Sequence, residues 1–280
     1  MNNKTTTSGT RILQVTDTHL FSDISGQLVG MNCEESLQDV LTLITAGEMA
    51  SNNNDNAHKK APALVLFTGD ASQDNSPASY QRLELSLSTL GIPQYWIPGN
   101  HDEKQQMQDA VGVGNPCFQS SIEVNGWRII LLNSSVSGHV YGRLAETELR
   151  FLRNALAEAR EAHVLVCLHH NPVPVAAAWL QVHALKNPDE LFAVLDADPR
   201  IRAVLFGHIH HELNIERNGV RYLGSPSTCV QFHPTSEDFA LDALNPGYRW
   251  LDLHPDGTFH TGITRVTGKS YDVDFSGIGY

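Results

Sequence analysis

The sequence has too few basic residues to suit a nucleic-acid-binding protein. Its 280 residues contain 19 Lys and Arg against 31 Asp and Glu, which gives a formal net charge of -12. A surface this negative repels a polyanion, so nucleic acid is not an expected partner. A small anionic substrate remains compatible with this charge, because two divalent cations in a pocket reverse the local field.

Paired cysteines and long apolar segments are also missing. The sequence has no C-x-x-C pair, so neither a zinc ribbon nor a dithiol redox site is indicated. The first ten residues, MNNKTTTSGT, lack the apolar region of a secretory signal. No run approaches the roughly 20 apolar residues that span a bilayer. We therefore expect a cytoplasmic protein without membrane association, with buried free thiols. The four cysteines are Cys33, Cys117, Cys167 and Cys229.

Short apolar runs that end in a polar residue recur along the chain. Hydrophobic residues make up 41% of the sequence, enough for a sizeable core. Runs of this length, bounded by turn residues, predict buried strands. The five runs are RILQV, ALVLFTG, QYWIPG, HVLVCL and RAVLFG.

Apolar residues at helical spacing lie between these runs and predict four helices. Asn32 and Glu35 resemble a capping box before the first helix, and Asn187-Pro188 predicts an N-cap before the last. Strands that alternate with helices predict an α/β fold, in which ligands gather beyond the carboxyl ends of the strands. The apolar positions are Leu37, Val40, Leu41 and Ile44; Tyr80, Leu83, Leu87 and Leu90; Leu149, Leu152 and Leu156; and Leu191 and Leu195.

The last part of the chain predicts two β-hairpins. Asn218-Gly219 separates LNIER from VRYLG, and Asp256-Gly257 separates YRWLDLH from TFHTGITRV. Residues 47–63, which contain SNNNDNAHKK, predict a polar loop. We predict a single domain over residues 1–280, with a disordered tail over residues 1–10 and C-terminal hairpins over residues 212–280 that complete the sheets.

An ordered set of metal-binding residue types follows the apolar runs. Any single match is weak, because among 14 His a D-x-H pair is expected by chance roughly once. An isolated His is as readily a hydrogen-bonded core or surface imidazole. Five motifs in order, each at the end of an apolar run, are not explained in this way. The residues are Asp17, His19, Asp70, Asn100, His101, His169, His208 and His210.

These residue types point to hydrolysis at a two-metal site. Asp17 and His19 are two residues apart, as are His208 and His210, and in an extended segment such residues point the same way. Oxygen and nitrogen donors without a thiolate suit Fe, Mn, Zn or Co. A central carboxylate bridges cations about 3.5–4 Å apart, and a water held between them loses its proton near neutral pH and becomes a nucleophile. Glycines before several of these residues are expected to allow close backbone approach.

The motifs resemble those of the calcineurin-like metallophosphoesterase superfamily over residues 11–211. Three further stretches, TDTHLF, GSPSTC (224–229) and PGYRWLDLHPDG (246–257), are similar to the bacterial class III 3′,5′-cyclic-AMP phosphodiesterases and extend the resemblance over nearly the full chain. The superfamily motifs are DTH (17–19), GD (69–70), GNHD (99–102), HH (169–170) and GHIH (207–210).

The resemblance implies a four-layer αββα sandwich of two mixed β-sheets with the metals at one edge. It implies two divalent metal ions per chain, Fe²⁺ or Mn²⁺ with Zn²⁺ and Co²⁺ as alternatives. The implied reaction is hydrolysis of cyclic AMP, a small-molecule substrate, to 5′-AMP by a metal-bridging hydroxide. Carried over by motif, Asp17, His19 and His210 bind the first metal, Asn100, His169 and His208 bind the second, and Asp70 bridges them.

The resemblance also implies roles at the substrate. His101 contacts the phosphate and protonates the leaving oxygen, with Asn100 as the second catalytic residue. Asp74 is a candidate to orient His101, or is a solvated loop residue. His169, which directly ends its strand, is preferred over His170 as a ligand, so His170 supports it from behind or faces the substrate. The implied substrate-binding residues are His101, Asn100, His170 and His210.

Two other functions remain open at this stage. One is a broader metallophosphodiesterase or phosphatase that acts on other cyclic nucleotides, glycerophosphodiesters or nucleotides. The other is a non-catalytic scaffold with the same fold, which the complete set of ligand residues disfavours. Residues Ser225–Cys229 and Gln231 are either part of a base-binding pocket or a plain strand and turn.

Overall fold

The computed structural model describes residues 9–49 and 61–279. Its first sheet is mixed, because β1 is parallel to β4 and antiparallel to β14. In their spatial order the strands are β15 (Phe259–Arg265), β14 (Gly247–Leu253), β1 (Thr10–Val15), β4 (Val65–Phe67) and β5 (Gln94–Trp96).

The second sheet is also mixed, with parallel central strands and an antiparallel pair at each edge. Its strands, in spatial order, are β10 (Leu213–Arg217), β11 (Val220–Gly224), β9 (Ile201–Phe206), β8 (His163–Cys167), β7 (Trp127–Leu131) and β6 (Ser121–Val124). Two short ladders pair β2 (Gln27–Leu28) with β3 (Met31–Asn32) and β12 (Gln231–Phe232) with β13 (Leu241–Asp242).

Within residues 9–49 and 61–279, six α-helices accompany the sheets. The apolar spacing in the sequence predicted four of them, and the structure confirms these as α1, α2, α4 and α6; α3 and α5 were not predicted. The helices are α1 (Cys33–Ile44), α2 (Pro77–Ser88), α3 (Lys104–Val111), α4 (Glu146–Glu158), α5 (Ala178–Gln181) and α6 (Pro188–Leu195), with a π-helical turn at Thr45–Met49 and a 3₁₀ turn at Pro116–Phe118.

The two predicted helix caps have different outcomes. Asn32 caps α1 as expected, since its side chain accepts a hydrogen bond from the Glu35 backbone N–H at 2.8 Å. Asn187 precedes Pro188 at the start of α6, but its side chain does not cap the helix. Instead it binds both backbone groups of Leu144, at 3.0 and 2.9 Å. The predicted N-cap position of Asn187 is therefore confirmed, whereas the side-chain capping bond does not form, because a distant backbone segment competes for the amide.

Alternation of side chains along the strands builds the layers. One face of each sheet contributes to a shared apolar core between the sheets, with Ile12 and Leu66 from the first and Leu165 and Leu205 from the second. Their sequence neighbours, such as Leu13, pack on the opposite face in the core that includes the helices. This arrangement confirms the four-layer αββα sandwich of two mixed sheets.

The C-terminal hairpins form as predicted, and a third was missed. Asn218-Gly219 joins β10 to β11, and both residues have positive φ, 51° and 78°. Asp256-Gly257 lies between β14 and β15. Asn125-Gly126 turns β6 into β7 with φ of 47° and 80°. This pair was a usable hairpin signal, since Asn-Gly suits turns with positive φ.

Several predicted segments lie partly outside the described residues. Of the expected tail over residues 1–10, only Gly9 and Thr10 are described, and Thr10 is the first residue of β1. Most of the polar loop predicted for residues 47–63 lies outside as well, although its start belongs to the turn Thr45–Met49. The single domain stays a prediction.

Within residues 9–49 and 61–279, no helix has the length and apolar character that a membrane crossing requires.

A buried arginine ties the two sheets together. Arg249, on β14, is fully buried and donates to the Gly224 carbonyl of the other sheet at 2.6 Å and to Ser225 Oγ at 3.0 Å. A third donor reaches Thr261 Oγ1 at 3.1 Å. Burial lowers the pKa of Arg249 to about 10, so the guanidinium is still charged at neutral pH. Its hydrogen bonds therefore provide charge-assisted links between the layers.

We predict that Arg249→Met lowers the free energy of unfolding by about 3 kcal/mol, because buried carbonyls lose a charged donor. Chemical denaturation measures this loss. Arg153→Met is the matched control: Arg153 is half exposed and pairs with Glu146 on the surface, so its loss should stay within about 0.5 kcal/mol. Equal stability of the two variants would contradict the role of Arg249.

Candidate metal centre

The predicted site residues meet where strands of both sheets end. Asp17 and His19 follow β1, Asp70 follows β4, and Asn100 and His101 follow β5. In the other sheet His169 follows β8, and His208 and His210 follow β9. The ligand atoms form four overlapping groups, each within 4.8 Å: Asp17, His19 and His210; Asp17, Asp70 and His169; His19, Asp70 and His101; and His169, His170 and His208.

In the first group, two imidazoles point their Nε2 atoms at each other. The Nδ1 atoms of His19 and His210 lie 2.7 Å from Gln73 Oε1 and 2.9 Å from the Val230 carbonyl. Since these oxygens only accept, both Nδ1 atoms carry the proton and both Nε2 atoms carry a lone pair. The two Nε2 atoms are 3.1 Å apart, and Asp17 Oδ1 is 3.3 Å from that of His210. Positive charge between these atoms, from a proton or a metal, would stabilise this arrangement.

The second group repeats this geometry around His169. Its Nδ1 donates to the Thr68 carbonyl at 2.8 Å, which leaves Nε2 facing Asn100 Oδ1 at 3.1 Å and Asp70 Oδ2 at 3.2 Å. Burial opposes protonation of this imidazole, but the carboxylates of Asp70 and Asp17 outweigh burial and raise the pKa of His169 to about 9. Positive charge at His169 Nε2, from a proton or a bound metal, is therefore stabilised by the neighbouring carboxylates.

Asp70 stands between the groups. One oxygen, Oδ1, accepts the His101 backbone N–H at 2.8 Å. The other, Oδ2, is buried and accepts no hydrogen bond from the described residues; it lies 3.2 Å from His169 Nε2 and 3.9 Å from His19 Nε2. Burial works against ionisation, yet the surrounding imidazoles, His169 above all, hold the pKa of the Asp70 carboxyl well below its usual range. A buried carboxylate with one unused oxygen fits a bridging ligand.

His208 gives the most direct sign that a ligand is required. Both of its ring nitrogens are buried and have no hydrogen-bond partner within the described residues. Burial keeps the pKa of His208 well below its usual range, so the ring is neutral with a lone pair to donate. Burial likewise lowers the pKa of His19 to about 3. Neutral imidazoles and ionised carboxylates are the states that bind divalent metals. The residues fit a dinuclear divalent metal site.

The backbone at these residues is left-handed rather than extended. Five non-glycine residues of the centre have positive φ: Asp17 at 56°, His19 at 47°, Asp70 at 54°, His208 at 67° and His210 at 49°. The extended-segment argument for the two residue pairs was therefore wrong. Asp17 and His19 still share a group, but His208 and His210 belong to different ones. Such strained conformations persist only where surrounding contacts hold them, and they cluster at functional sites.

Close packing around the carboxylates explains two of the glycines. A Cβ on Gly99 would clash with Asp70 Oδ1, and one on Gly207 would clash with Thr16 Oγ1 and lie 2.6 Å from Asp17 Oδ2. Any larger residue would push a carboxylate out of place. The prediction that glycine allows close backbone approach here is confirmed.

His170 has a ligand atom within 4.8 Å of those of His169 and His208, whereas Asp74 belongs to none of the four groups. Both ring nitrogens of His170 are used elsewhere: Nδ1 lies 2.8 Å from Ser134 Oγ and Nε2 lies 3.1 Å from the Val140 carbonyl. Its ring packs edge-on against that of His169, a contact that favours the supporting role. The role of His170 stays a prediction. The Asp74 carboxylate accepts from serine groups, including the Ser22 backbone N–H at 2.7 Å. These bonds suit the loop role and leave orientation of His101 by Asp74 a prediction.

The C-terminal motifs brace the first group from behind. Ser227 Oγ donates to the Asp17 carbonyl at 2.7 Å, and the Thr228 N–H donates to the Thr16 carbonyl at 3.1 Å. Gln231 folds back onto the Ser227 and Cys229 carbonyls, at 2.8 and 2.9 Å. All residues from Ser225 to Gln231 are buried, so this segment fits the strand-and-turn alternative rather than a base pocket.

Sequence reasoning missed Asp102, the last residue of GNHD. Its buried carboxylate accepts three backbone N–H groups, from Gly99 at 2.9 Å and from Ala71 and Ser72 at 3.1 Å. Burial and the charge of Asp70 raise the pKa of Asp102 to about 7, against these hydrogen bonds. Asp102 thus joins the loop that carries Asn100 to the loop that carries Asp70. The position of Asp102 in the GNHD motif could have identified it from the sequence as a residue of the centre.

A cavity of about 660 Å³ lies far from this centre. It is lined by the Asn125-Gly126 turn, His163 and Pro255. His163 begins β8, whereas the metal centre follows the end of that strand. The size of a cavity therefore does not locate the chemistry in this protein; the convergence of ligand atoms does.

Comparison with known proteins agrees with this geometry. The sequence profile described as calcineurin-like phosphoesterase matches residues 10–212. The 3′,5′-cyclic adenosine monophosphate phosphodiesterase CpdA of Pseudomonas aeruginosa is 40% identical, over 100% of this chain and 98% of its own. The 3′,5′-cyclic-nucleotide phosphodiesterase alr5338 of Nostoc sp. is 41% identical, over 91% and 92%. A dimetal phosphatase from Danio rerio superposes with a TM-score of 0.61 at 13% identity, over 93% and 100%, and shows the shared fold.

We predict that Asp102→Asn lowers both stability and metal content. An amide in this place turns a donor toward at least one of the three backbone N–H groups, which should lower the free energy of unfolding by about 1–3 kcal/mol. Elemental analysis should find fewer than two metal ions per chain. Asp109→Asn, on the exposed side of α3, is the control and should match the wild type; a fully loaded Asp102→Asn protein would contradict the prediction.

Proposed function

We propose that this chain, which belongs to the calcineurin-like phosphoesterase family, hydrolyses 3′,5′-cyclic AMP to 5′-AMP. The observation that carries the proposal is the meeting of imidazole Nε2 atoms and carboxylate oxygens in one buried space. The names of the relatives from Pseudomonas aeruginosa and Nostoc sp. supply the substrate class. Their similarity extends through the C-terminal motifs, beyond the residues common to the family.

The proposed ligand assignment is the one that the family motifs imply, and the distances among the candidate ligand atoms support it. One cation is assigned to Asp17, His19 and His210, and the other to Asn100, His169 and His208, with Asp70 shared. We assign Fe²⁺ or Mn²⁺ to these positions, because the donors are carboxylate, amide and imidazole without a thiolate. Zn²⁺ and Co²⁺ suit the same donors. When bound, the two cations offset the charge of the phosphoryl oxygens and lower the pKa of a water between them.

His101 is the proposed proton donor. Its backbone N–H donates to Asp70 Oδ1 at 2.8 Å, which places the residue against the shared carboxylate. Its ring centroid lies 5.0 Å from that of His19, and the side chain is half-buried, so the imidazole faces both the centre and solvent. A protonated ring nitrogen of His101 donates to the departing 3′-oxygen of the ribose. The Asn100 amide, with Oδ1 toward the metal, directs its N–H₂ toward a phosphoryl oxygen.

The remaining expectations concern partners and location. The net charge of -12 supports a small substrate held by cations rather than a nucleic acid. His170 and His210 stay proposed contacts near the substrate. A cytoplasmic location is a proposal in keeping with four buried free cysteines.

A substrate panel on the purified protein tests the proposed function. After chelator treatment and addition of Mn²⁺ or Fe²⁺, we expect hydrolysis of cyclic AMP with a higher kcat/KM than cyclic GMP, a linear phosphodiester or p-nitrophenyl phosphate. His208→Ala should lose activity and one metal while remaining folded, because it removes a buried nitrogen that no hydrogen bond satisfies.

The panel separates the alternatives. Preference for p-nitrophenyl phosphate or a linear diester would replace the proposed substrate but keep the metal chemistry. Absence of activity together with fewer than two bound metals would indicate a scaffold. Full activity in His208→Ala would contradict the assignment of His208 as a metal ligand.

We predict that His101→Asn lowers kcat for cyclic AMP by about 10²–10⁴-fold, the usual contribution of a general acid. The loss should be much smaller for bis(p-nitrophenyl) phosphate, since p-nitrophenolate leaves without a proton. Metal content should stay at two per chain. His260→Asn, an exposed histidine on β15, serves as the control. An equal loss for both substrates would argue against proton donation by His101.

A further inference from the structure

We infer that Gln73 is a positioning residue for the first metal: its side-chain carbonyl sets the orientation of His19 and so determines the affinity of one of the two cations. The inference rests on the proposed ligand assignment. The Nδ1 of His19 lies 2.7 Å from Gln73 Oε1. Because that oxygen only accepts, the contact places the proton on Nδ1 and turns the Nε2 lone pair toward Asp70 and His210.

The partner of His19 differs in kind from those of two other histidines. The Nδ1 atoms of His169 and His210 donate to backbone carbonyls, of Thr68 at 2.8 Å and Val230 at 2.9 Å. Those acceptors are fixed by the course of the chain and survive any side-chain substitution. For His19 the acceptor is a side chain, so its orientation depends on residue identity at one position.

The backbone around Gln73 is built onto the segment that carries His19. The Gln73 N–H donates to the Leu20 carbonyl at 2.8 Å, and the His19 N–H donates to the Asp70 carbonyl at 3.0 Å. A parallel bridge between Leu20 and Ser72 continues this pairing. Gln73 is therefore held beside His19 by the main chain, and its half-buried side chain has only to extend to reach the ring.

The hydrogen bond between Gln73 and His19 is expected to affect metal binding, because it sets the direction of the His19 ring. His19 already has a strained backbone, with φ of 47°, and its ring must aim Nε2 at a point shared with two other ligand atoms. Hydrogen-bond partners behind metal-binding histidines typically contribute 10–100-fold in metal affinity, because they fix the tautomer and the ring angle. Removal of the Gln73 carbonyl should therefore weaken one metal position and spare the other.

Titration of the metal-depleted full-length chain with Co²⁺ tests the inference, followed by calorimetry and by visible absorption of the bound ion. The wild type should bind two Co²⁺. Gln73→Leu should bind one of them about 10–100-fold more weakly, with an altered absorption spectrum and an unchanged second affinity. Gln73→Glu should restore the affinity, since a carboxylate accepts the same N–H. Gln81→Leu is the matched control, because Gln81 is exposed on α2 and its side chain donates to the Ala110 carbonyl, away from the metal centre.

The outcomes distinguish the inference from the proposed function. Two Co²⁺ bound by Gln73→Leu with wild-type affinity and spectrum would overturn the role of Gln73. Failure of Gln73→Glu to recover what Gln73→Leu loses would also overturn it, since a purely structural loss is not rescued by a new acceptor. If Gln73→Leu does not fold, Gln73→Ala carries the same expectation without added bulk. Fewer than two Co²⁺ on the wild type would instead contradict the proposed function.

Discussion

The central constraint on the structure is that imidazole nitrogens and carboxylate oxygens are crowded into one buried space. These atoms repel one another unless positive charge lies between them. The Nε2 atoms of His19 and His210 face each other, and that of His169 faces the carboxylate of Asp70, while an acceptor on the far side of each ring holds the Nδ1 proton. Without positive charge this arrangement costs free energy, because buried acceptors have neither water nor donors. Divalent cations convert the same arrangement into a stabilising one. Metal binding and the final geometry of the site are thus coupled.

The surrounding fold supplies what is needed to hold these atoms together. The left-handed backbone at Asp17, Asp70 and His208 turns the polypeptide shortly after the ends of β1, β4 and β9, respectively. Long-range hydrogen bonds keep that conformation in place, as when the buried Asp102 ties the loop of Asn100 to the loop of Asp70. Each strained residue is stable because contacts from elsewhere in the sandwich over-determine it.

The C-terminal region holds residues of the candidate metal centre in place through hydrogen bonds. Ser227 holds the Asp17 carbonyl, while Val230 supplies the acceptor for His210. Arg249 binds Ser225, which in turn donates to Gln14, and Gln14 binds Thr68 Oγ1. A polar chain therefore runs from β14 to the residue whose carbonyl orients His169.

The sequence by itself predicted the strands that lead into the centre, because apolar periodicity is a local property, and its motifs predicted the candidate ligand residues. The αββα layers followed only from the resemblance to the metallophosphoesterases, because periodicity does not say how elements pack into layers. It also contained the Asn125-Gly126 signal of the missed hairpin. Only the tertiary structure decided that the backbone at His208 and His210 is left-handed, that Asp102 links two loops and that Gln73 Oε1 lies behind His19. These outcomes depend on backbone handedness and on hydrogen bonds between residues far apart in the chain, and neither is encoded in the spacing of a motif.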